Sequence, residues 1–126
     1  MAAALMKHFH GRRVWVQSVG VHKGLLDPFA VAVMDEIGID ISHHNASSFD
    51  ELEDTSFDLV ISLSPEAQHH AVEMTRTMAC EVEFWNTLDP SMVDGSRETR
   101  IAVYRQVRDL LSRNILQRFP MAASAM

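Results

Sequence analysis

The sequence predicts a small α/β domain whose parallel sheet is doubly wound. Short β-branched runs alternate with segments whose apolar residues recur at helical spacing, in the order α-β-α-β-α-β-α. The run Phe57–Leu63 is almost continuously apolar, as expected of a parallel strand covered on both faces. With 126 residues and 47% hydrophobic content, the chain suits one domain over residues 1–120, with residues 121–126 as a C-terminal tail.

The first half of the chain predicts a helix, a strand and a second helix. Met1–Phe9 consists of strong helix formers but has no N-cap residue and no strand before it, so this helix looks cut at its start. The β-branched and aromatic residues of Arg13–Val19 favour a strand. Asp27-Pro28 then supplies an N-cap and a first helical residue for a helix that ends before Gly38.

In the second half of the chain, predicted strands and helices again alternate. After Phe57–Leu63, Ser64-Pro65 opens a helix whose apolar stripe should face the sheet: Ala67, Ala71, Met74 and Met78. Glu81–Trp85 alternates like an edge strand. A last helix should run from about Ser96 to Phe119, where Pro120 stops it. Its predicted inward face is Ile101, Tyr104, Val107, Leu111, Ile115 and Phe119, and its predicted outward residues are Arg105, Arg108, Ser112 and Arg113.

Charge and composition exclude several classes of protein. The net charge of −6 argues against a nucleic-acid partner or an anionic membrane surface. No run approaches the ~20 apolar residues of a membrane span, and one cysteine excludes an internal disulfide framework. We therefore expect a cytoplasmic protein with no membrane partner.

Several motifs, in order and spacing, resemble the low-molecular-weight protein tyrosine phosphatase family up to about Phe119. They are Ser18–Val21, Asp27–Val31, Gly38–His44, Phe57–Leu63, Phe84-Trp85 and Asp89-Pro90. The resemblance implies the phosphotyrosine protein phosphatase I type of sheet and hydrolysis of phosphate monoesters through a cysteine phosphoenzyme. If a full-length form exists, the resemblance implies a phosphorylated substrate as its partner. We expect no cofactor.

In that family a strand and a Cys-x5-Arg phosphate loop precede a helix that Met1–Leu5 resembles. The resemblance therefore implies that the first, central strand and the nucleophile loop are absent from this sequence. We expect the chain as written to be inactive. Its open strand edges should either pair in a homodimer or destabilise the fold.

Two residues carry over from the family by motif. The resemblance implies that Asp89, followed by Pro90, is the general acid that protonates the leaving oxygen, whereas the residues alone also allow a plain Asp-Pro turn. Ser91-Met92 follow where the phosphatases often have an aromatic pair, which leaves a preference for phosphotyrosine open. Ser18 matches a serine whose hydroxyl supports the phosphate loop from behind, and a plain strand-end serine is the alternative.

The other reactive side chains predict no further site. Cys80 is followed six residues later by Asn86 and should be a buried small hydrophobic residue. Arsenate reductases of the family coupled to thioredoxin need two further cysteines, and this chain offers only Cys80, which effectively excludes that branch. His43-His44 and His69-His70 lack the spacing of metal ligands, and we expect no metal.

Three functions follow from these observations. The first is a phosphatase-family protein that is catalytically incomplete because its start lies at an internal methionine. The second is a remnant that serves as an interaction or dimerisation module. The third is a hydrolase with another nucleophile, for which the sequence offers no nucleophile and base.

Overall fold

The computed structural model describes residues 1–11, 13–20, 26–43 and 57–120. Within them lie four α-helices, α1 (Ala2–His10), α2 (Pro28–Asp35), α3 (Pro65–Met74) and α4 (Arg97–Arg118). They also contain two strands, β1 (Leu59–Ser62) and β2 (Glu81–Phe84), and a 3-10 turn at Pro90–Met92. The α/β class that the sequence predicts is confirmed.

Three helices begin where the sequence places an oxygen-bearing N-cap. The Asp27 carboxylate accepts a hydrogen bond from the backbone N–H of Phe29 at 2.9 Å. The hydroxyls of Ser64 and Ser96 accept from the third residue of α3 and α4, each at 3.1 Å. Each cap satisfies one of the N–H groups that a helix start leaves without a partner, so these starts are set locally.

The strands β1 and β2 form a two-stranded parallel sheet in the described part of the chain. Leu59 pairs with Glu81 at one end of the register and Ser62 pairs with Phe84 at the other. The helix α3 connects the strands and packs on both. Of its predicted stripe, Ala71 is fully buried, Ala67 and Met74 are half-buried, and Met78 lies beyond the end of the helix. The elements β1, α3 and β2 belong to one of two compact units.

The other unit contains α1, α2, the Pro90–Met92 turn and α4. Here α4 packs against both α1 and α2. The core residues are Leu5 from α1, Val33 and Met34 from α2, and Tyr104, Val107, Leu111 and Ile115 from α4, each no more than 5% exposed. The inward face predicted for α4 is thus confirmed along its middle. A single domain over residues 1–120 stays a prediction.

Three sequence predictions are wrong. Arg13–Val19 contains no strand, because a β-branched run needs a neighbouring ladder and the described sheet contains only β1 and β2. Arg108 lies inward with 9% of its surface exposed, since α2 supplies acceptors for its guanidinium. Cys80 is only half-buried, because it lies in the connection just before β2 rather than inside an element.

None of the helices in the described ranges is both long and apolar enough to cross a membrane. The cytoplasmic location stays a prediction.

Candidate functional site

Asp89 lies at the start of the 3-10 turn, on the surface of the helical unit. Its Oδ1 accepts two hydrogen bonds, from the backbone N–H of Ser91 at 3.0 Å and from the Ser91 hydroxyl at 2.7 Å. Pro90 restricts the backbone directly after it. The carboxylate is therefore held in one orientation while exposed to solvent, a geometry that suits an Asp-Pro turn and also a proton donor.

Behind this turn, Tyr104 of α4 is 98% buried and its hydroxyl donates a hydrogen bond to Oδ2 of Asp27. The other oxygen of Asp27 caps α2, so one carboxylate joins the start of α2 to the middle of α4. Burial, together with the hydrogen bond to Asp27, raises the pKa of Tyr104 to about 12. The Arg100 guanidinium lowers this pKa and the Asp89 carboxylate raises it, and both effects are smaller than that of Asp27.

Two arginines from the first turn of α4 lie over the ring of Phe29. The guanidinium carbon of Arg100 is 4.6 Å from the ring centroid and that of Arg97 is 5.7 Å from it. The same ring packs against Tyr104 with centroids 5.3 Å apart. Nε of Arg100 is shielded from solvent and has no hydrogen-bond partner in the described ranges. The helix α4, which packs against the Pro90–Met92 turn, thus begins with two arginines stacked on one aromatic ring.

Ser18 is half-buried in the segment that follows α1, in the same unit as Asp89. The 126 residues contain no Cys-x5-Arg motif that Ser18 could support. Its supporting role, like the acid role of Asp89, stays a prediction.

The single cysteine does not lie where a phosphate-binding thiolate would need to be. Cys80 directly precedes a strand, and its backbone N–H donates to the carbonyl of Met78 at 3.1 Å. A phosphate loop instead presents successive free N–H groups at a helix start, which lower a thiol pKa and hold the oxyanion. The chain therefore has no built nucleophile at Cys80.

The histidine pairs form no metal site in the part of the chain that is described. His69 and His70 are neighbours on α3, with ring centroids 6.1 Å apart in an edge-to-face arrangement. His44 lies outside the described residues, next to His43. No group of three potential ligands occurs within the described ranges.

One known protein family matches nearly the whole chain. The family described as low molecular weight phosphotyrosine protein phosphatase matches residues 1–121. The chain belongs to this family. The resemblance read from the sequence motifs is confirmed.

The curated proteins that this family member resembles in sequence are arsenate reductases, and the solved structures with the same fold include a protein tyrosine phosphatase. It is 32% identical over 117 residues to the arsenate reductase of Halalkalibacterium halodurans, covering 91% of this chain and 81% of the relative. A solved arsenate reductase in its oxidised state superposes with a TM-score of 0.72 at 24% identity, over 92% of this chain and 82% of the other. A solved protein tyrosine phosphatase gives 0.66 at 24% identity, over 98% and 88%. At these identities the two structures show the fold alone.

Sequence reasoning missed the cluster around Phe29. Asp27 was predicted only as a helix cap and Tyr104 only as an inward residue, although a buried tyrosine needs a partner for its hydroxyl. The stacking of Arg100 on Phe29 has no signal in the sequence, since 71 positions separate the two residues.

Proposed function

We propose that this chain is the acid-bearing part of a family enzyme that hydrolyses phosphate monoesters, with Asp89 as the general acid. The observation that supports this most is the Asp89-Pro90 turn, in which Ser91 fixes one carboxylate oxygen and the side chain stays exposed. A proton donor must reach the leaving group from a defined direction, and this turn supplies such a direction.

The proposed chemistry has two steps. A thiolate attacks phosphorus and forms an S–P bond while the P–O bond to the leaving group breaks, and protonated Asp89 donates its proton to that oxygen. The Asp89 carboxylate then takes a proton from water, whose oxygen attacks phosphorus, breaks the S–P bond and releases phosphate and the thiolate. Asp89 is thereby returned to its acid form.

The thiolate is the group that these 126 residues do not provide, because Cys80 lies before a strand and outside any phosphate loop. We therefore expect the chain by itself to be inactive. Any protein that contains it and turns over substrate must supply a Cys-x5-Arg loop from elsewhere.

Two versions of the protein test this proposal with p-nitrophenyl phosphate: the 126-residue chain, and the same chain preceded by a family strand and Cys-x5-Arg-Ser-Pro loop. The first should show no turnover and the second should hydrolyse the ester. Cys80→Ser is the matched control and should change neither result. Turnover by the short chain that survives Cys80→Ser would refute the account of the nucleophile, and turnover that this change abolishes would make Cys80 the nucleophile.

Arsenate reduction is the second candidate, favoured by the 32% identity to the Halalkalibacterium halodurans arsenate reductase. Reduction of arsenate to arsenite needs two electrons, and this chain has one thiol, Cys80. We therefore infer that any such activity would depend on an external dithiol, which would be oxidised to a disulfide. Arsenite formation by the extended version with thioredoxin or glutaredoxin, at a rate above its ester hydrolysis, would favour this function.

A non-catalytic interaction module is the third candidate. It is supported by the two-stranded sheet, in which β1 and β2 each pair on one edge in the described part of the chain. A strand edge presents N–H and C=O groups that can serve as a template for a strand of a second copy. Sedimentation equilibrium of the 126-residue chain tests this, since a monomer at every concentration would exclude edge pairing.

A further inference from the structure

The first turn of α4 contains two arginines that no carboxylate neutralises in the described ranges. Arg105 and Arg108, further along the same helix, form ion pairs with Glu36. Arg97 and Arg100 instead contact the ring face of Phe29, at 5.7 and 4.6 Å. Two guanidinium groups that form no ion pair in the described ranges therefore share one aromatic ring.

The Phe29 ring, over which both guanidinium groups lie, is itself held by neighbouring residues. Phe29 packs on Tyr104, whose hydroxyl is bound to Asp27, and Asp27 also caps the helix that begins with Phe29. Because Asp27 binds both the Phe29 backbone and the Tyr104 hydroxyl, the ring of Phe29 is held in place, and a guanidinium stacked on it loses little further freedom when it binds an anion. Arg100 is thus preorganised.

Arg100 also has unused hydrogen-bonding capacity. Its shielded Nε has no acceptor in the described residues, and a buried donor without a partner is rare in folded proteins. The terminal nitrogens of a guanidinium form a fork that matches the oxygens of a phosphate or carboxylate.

We propose that Arg100, with Arg97 beside it, is an oxyanion-binding pair that recognises an anionic group of the substrate next to the Asp89 turn. The inference deepens the proposed function and rests on it, because the helix α4, whose first turn contains Arg97 and Arg100, packs against the Pro90–Met92 turn that directly follows Asp89. The ligand oxygens can belong to the phosphoryl group itself or to a carboxylate elsewhere on the substrate.

Side-chain NMR of the arginine Nε–H groups in the 126-residue chain tests this without turnover. Titration with inorganic phosphate should shift the Arg100 signal in a saturable way. Arg100→Gln should weaken phosphate binding about tenfold, whereas Arg113→Gln, which removes the same charge from an exposed position of α4, should leave it unchanged. Phe29→Leu should also weaken it, because the stacking face is lost while an apolar side chain remains.

A parallel titration with acetate distinguishes the two sources of oxygen. Binding of phosphate alone assigns the pair to the phosphoryl group, and equal binding of acetate assigns it to a carboxylate of the substrate. Equal shifts at all arginines, or equal weakening by Arg100→Gln and Arg113→Gln, would overturn the proposal. A negative result in these titrations would not contradict the proposed acid role of Asp89, because that role is tested separately by the turnover of the extended version.

Discussion

Nη1 of Arg108 donates a hydrogen bond of 2.8 Å to the backbone carbonyl of Val33. Val33 lies in the last turn of α2, where the carbonyls have no partner within the helix. The same Nη1 also donates to Oε1 of Glu36 at 2.9 Å, and Arg105 donates to both oxygens of Glu36. Two arginines of α4 thus hold the end of α2, one by a shielded contact and one at the surface.

Arg108→Met should lower the free energy of unfolding by about 1.5–3 kcal/mol, because the Val33 carbonyl loses a charged donor in a buried position. Arg105→Met is the matched control. Its side chain is 45% exposed against 11% for Arg108, so its loss should be clearly smaller. Urea unfolding measures the change in unfolding free energy of both variants. Equal losses would show that the buried hydrogen bond to Val33 adds no stability beyond that of a surface ion pair.

Glu36 should make stability fall in acid. The hydrogen bond from Arg105 is the largest cause that lowers the pKa of Glu36 to about 2 from its ordinary 4.5, with Arg108 adding to it. The unfolded chain takes up this proton at higher pH than the folded chain, so the contribution is present above about pH 4.5 and is lost as pH falls towards about 2. In Glu36→Gln the melting temperature should depend less on pH in this window. An unchanged slope would contradict the linkage.

Tyr104 offers a direct titration, because it is the only tyrosine of the chain. Its pKa of about 12, raised from 10, should appear in the ultraviolet absorbance of tyrosinate. Since the unfolded chain releases this proton first, stability should fall between about pH 10 and about pH 12. Asp27→Asn removes the neighbouring charge and should move the midpoint back towards 10, while Asp35→Asn should not. Equal midpoints in the three proteins would refute the contact.

Leu5 tests the packing of α1 on the helical core. It is fully buried, so Leu5→Ala should cost about 2–5 kcal/mol of unfolding free energy through lost transfer energy and a cavity. Leu110→Ala, at a position 37% exposed on α4, is the control and should cost much less. If the two variants unfold at the same denaturant concentration, α1 does not pack as described.

Asp89→Asn, in the version with a nucleophile loop, should lower turnover by about 10²–10³-fold on substrates with poor leaving groups and much less on good ones. Only a poor leaving group needs the proton as the P–O bond breaks. Ser91→Ala is a useful companion, because it removes the hydroxyl contact to Oδ1 but keeps the backbone one. Equal losses on both kinds of substrate for Asp89→Asn would indicate a structural turn.

Local chemistry made much of this fold predictable. The pairs Asp27-Pro28 and Ser64-Pro65 and the cap Ser96 fixed three helix starts, since a side-chain oxygen and the nearest N–H groups suffice for each. The apolar run around β1 and the alternation of polar and apolar residues in β2 likewise predicted these two strands. Asp89 could be singled out because proline follows it and its partner, Ser91, is two residues away.

The errors came from positions that depend on distant partners. Arg13–Val19 has the composition of a strand, but a strand requires a neighbour that the local sequence cannot supply. The helical pattern predicted Arg108 at the surface. In the structure its guanidinium instead donates to the carbonyl of Val33 in α2, which lies 75 positions away in the sequence.

The sequence by itself determined the four helices, the strands β1 and β2, the helix caps, the apolar face of α4 and the family motifs, because each depends on residues a few positions apart. Only the tertiary structure decided that Tyr104 binds Asp27, that Arg100 stacks on Phe29 and that Arg108 is drawn inward. The physical reason is that a buried polar group takes whichever partner packing brings to it, and α2 and α4, separated by more than 60 residues, meet only once the chain has folded.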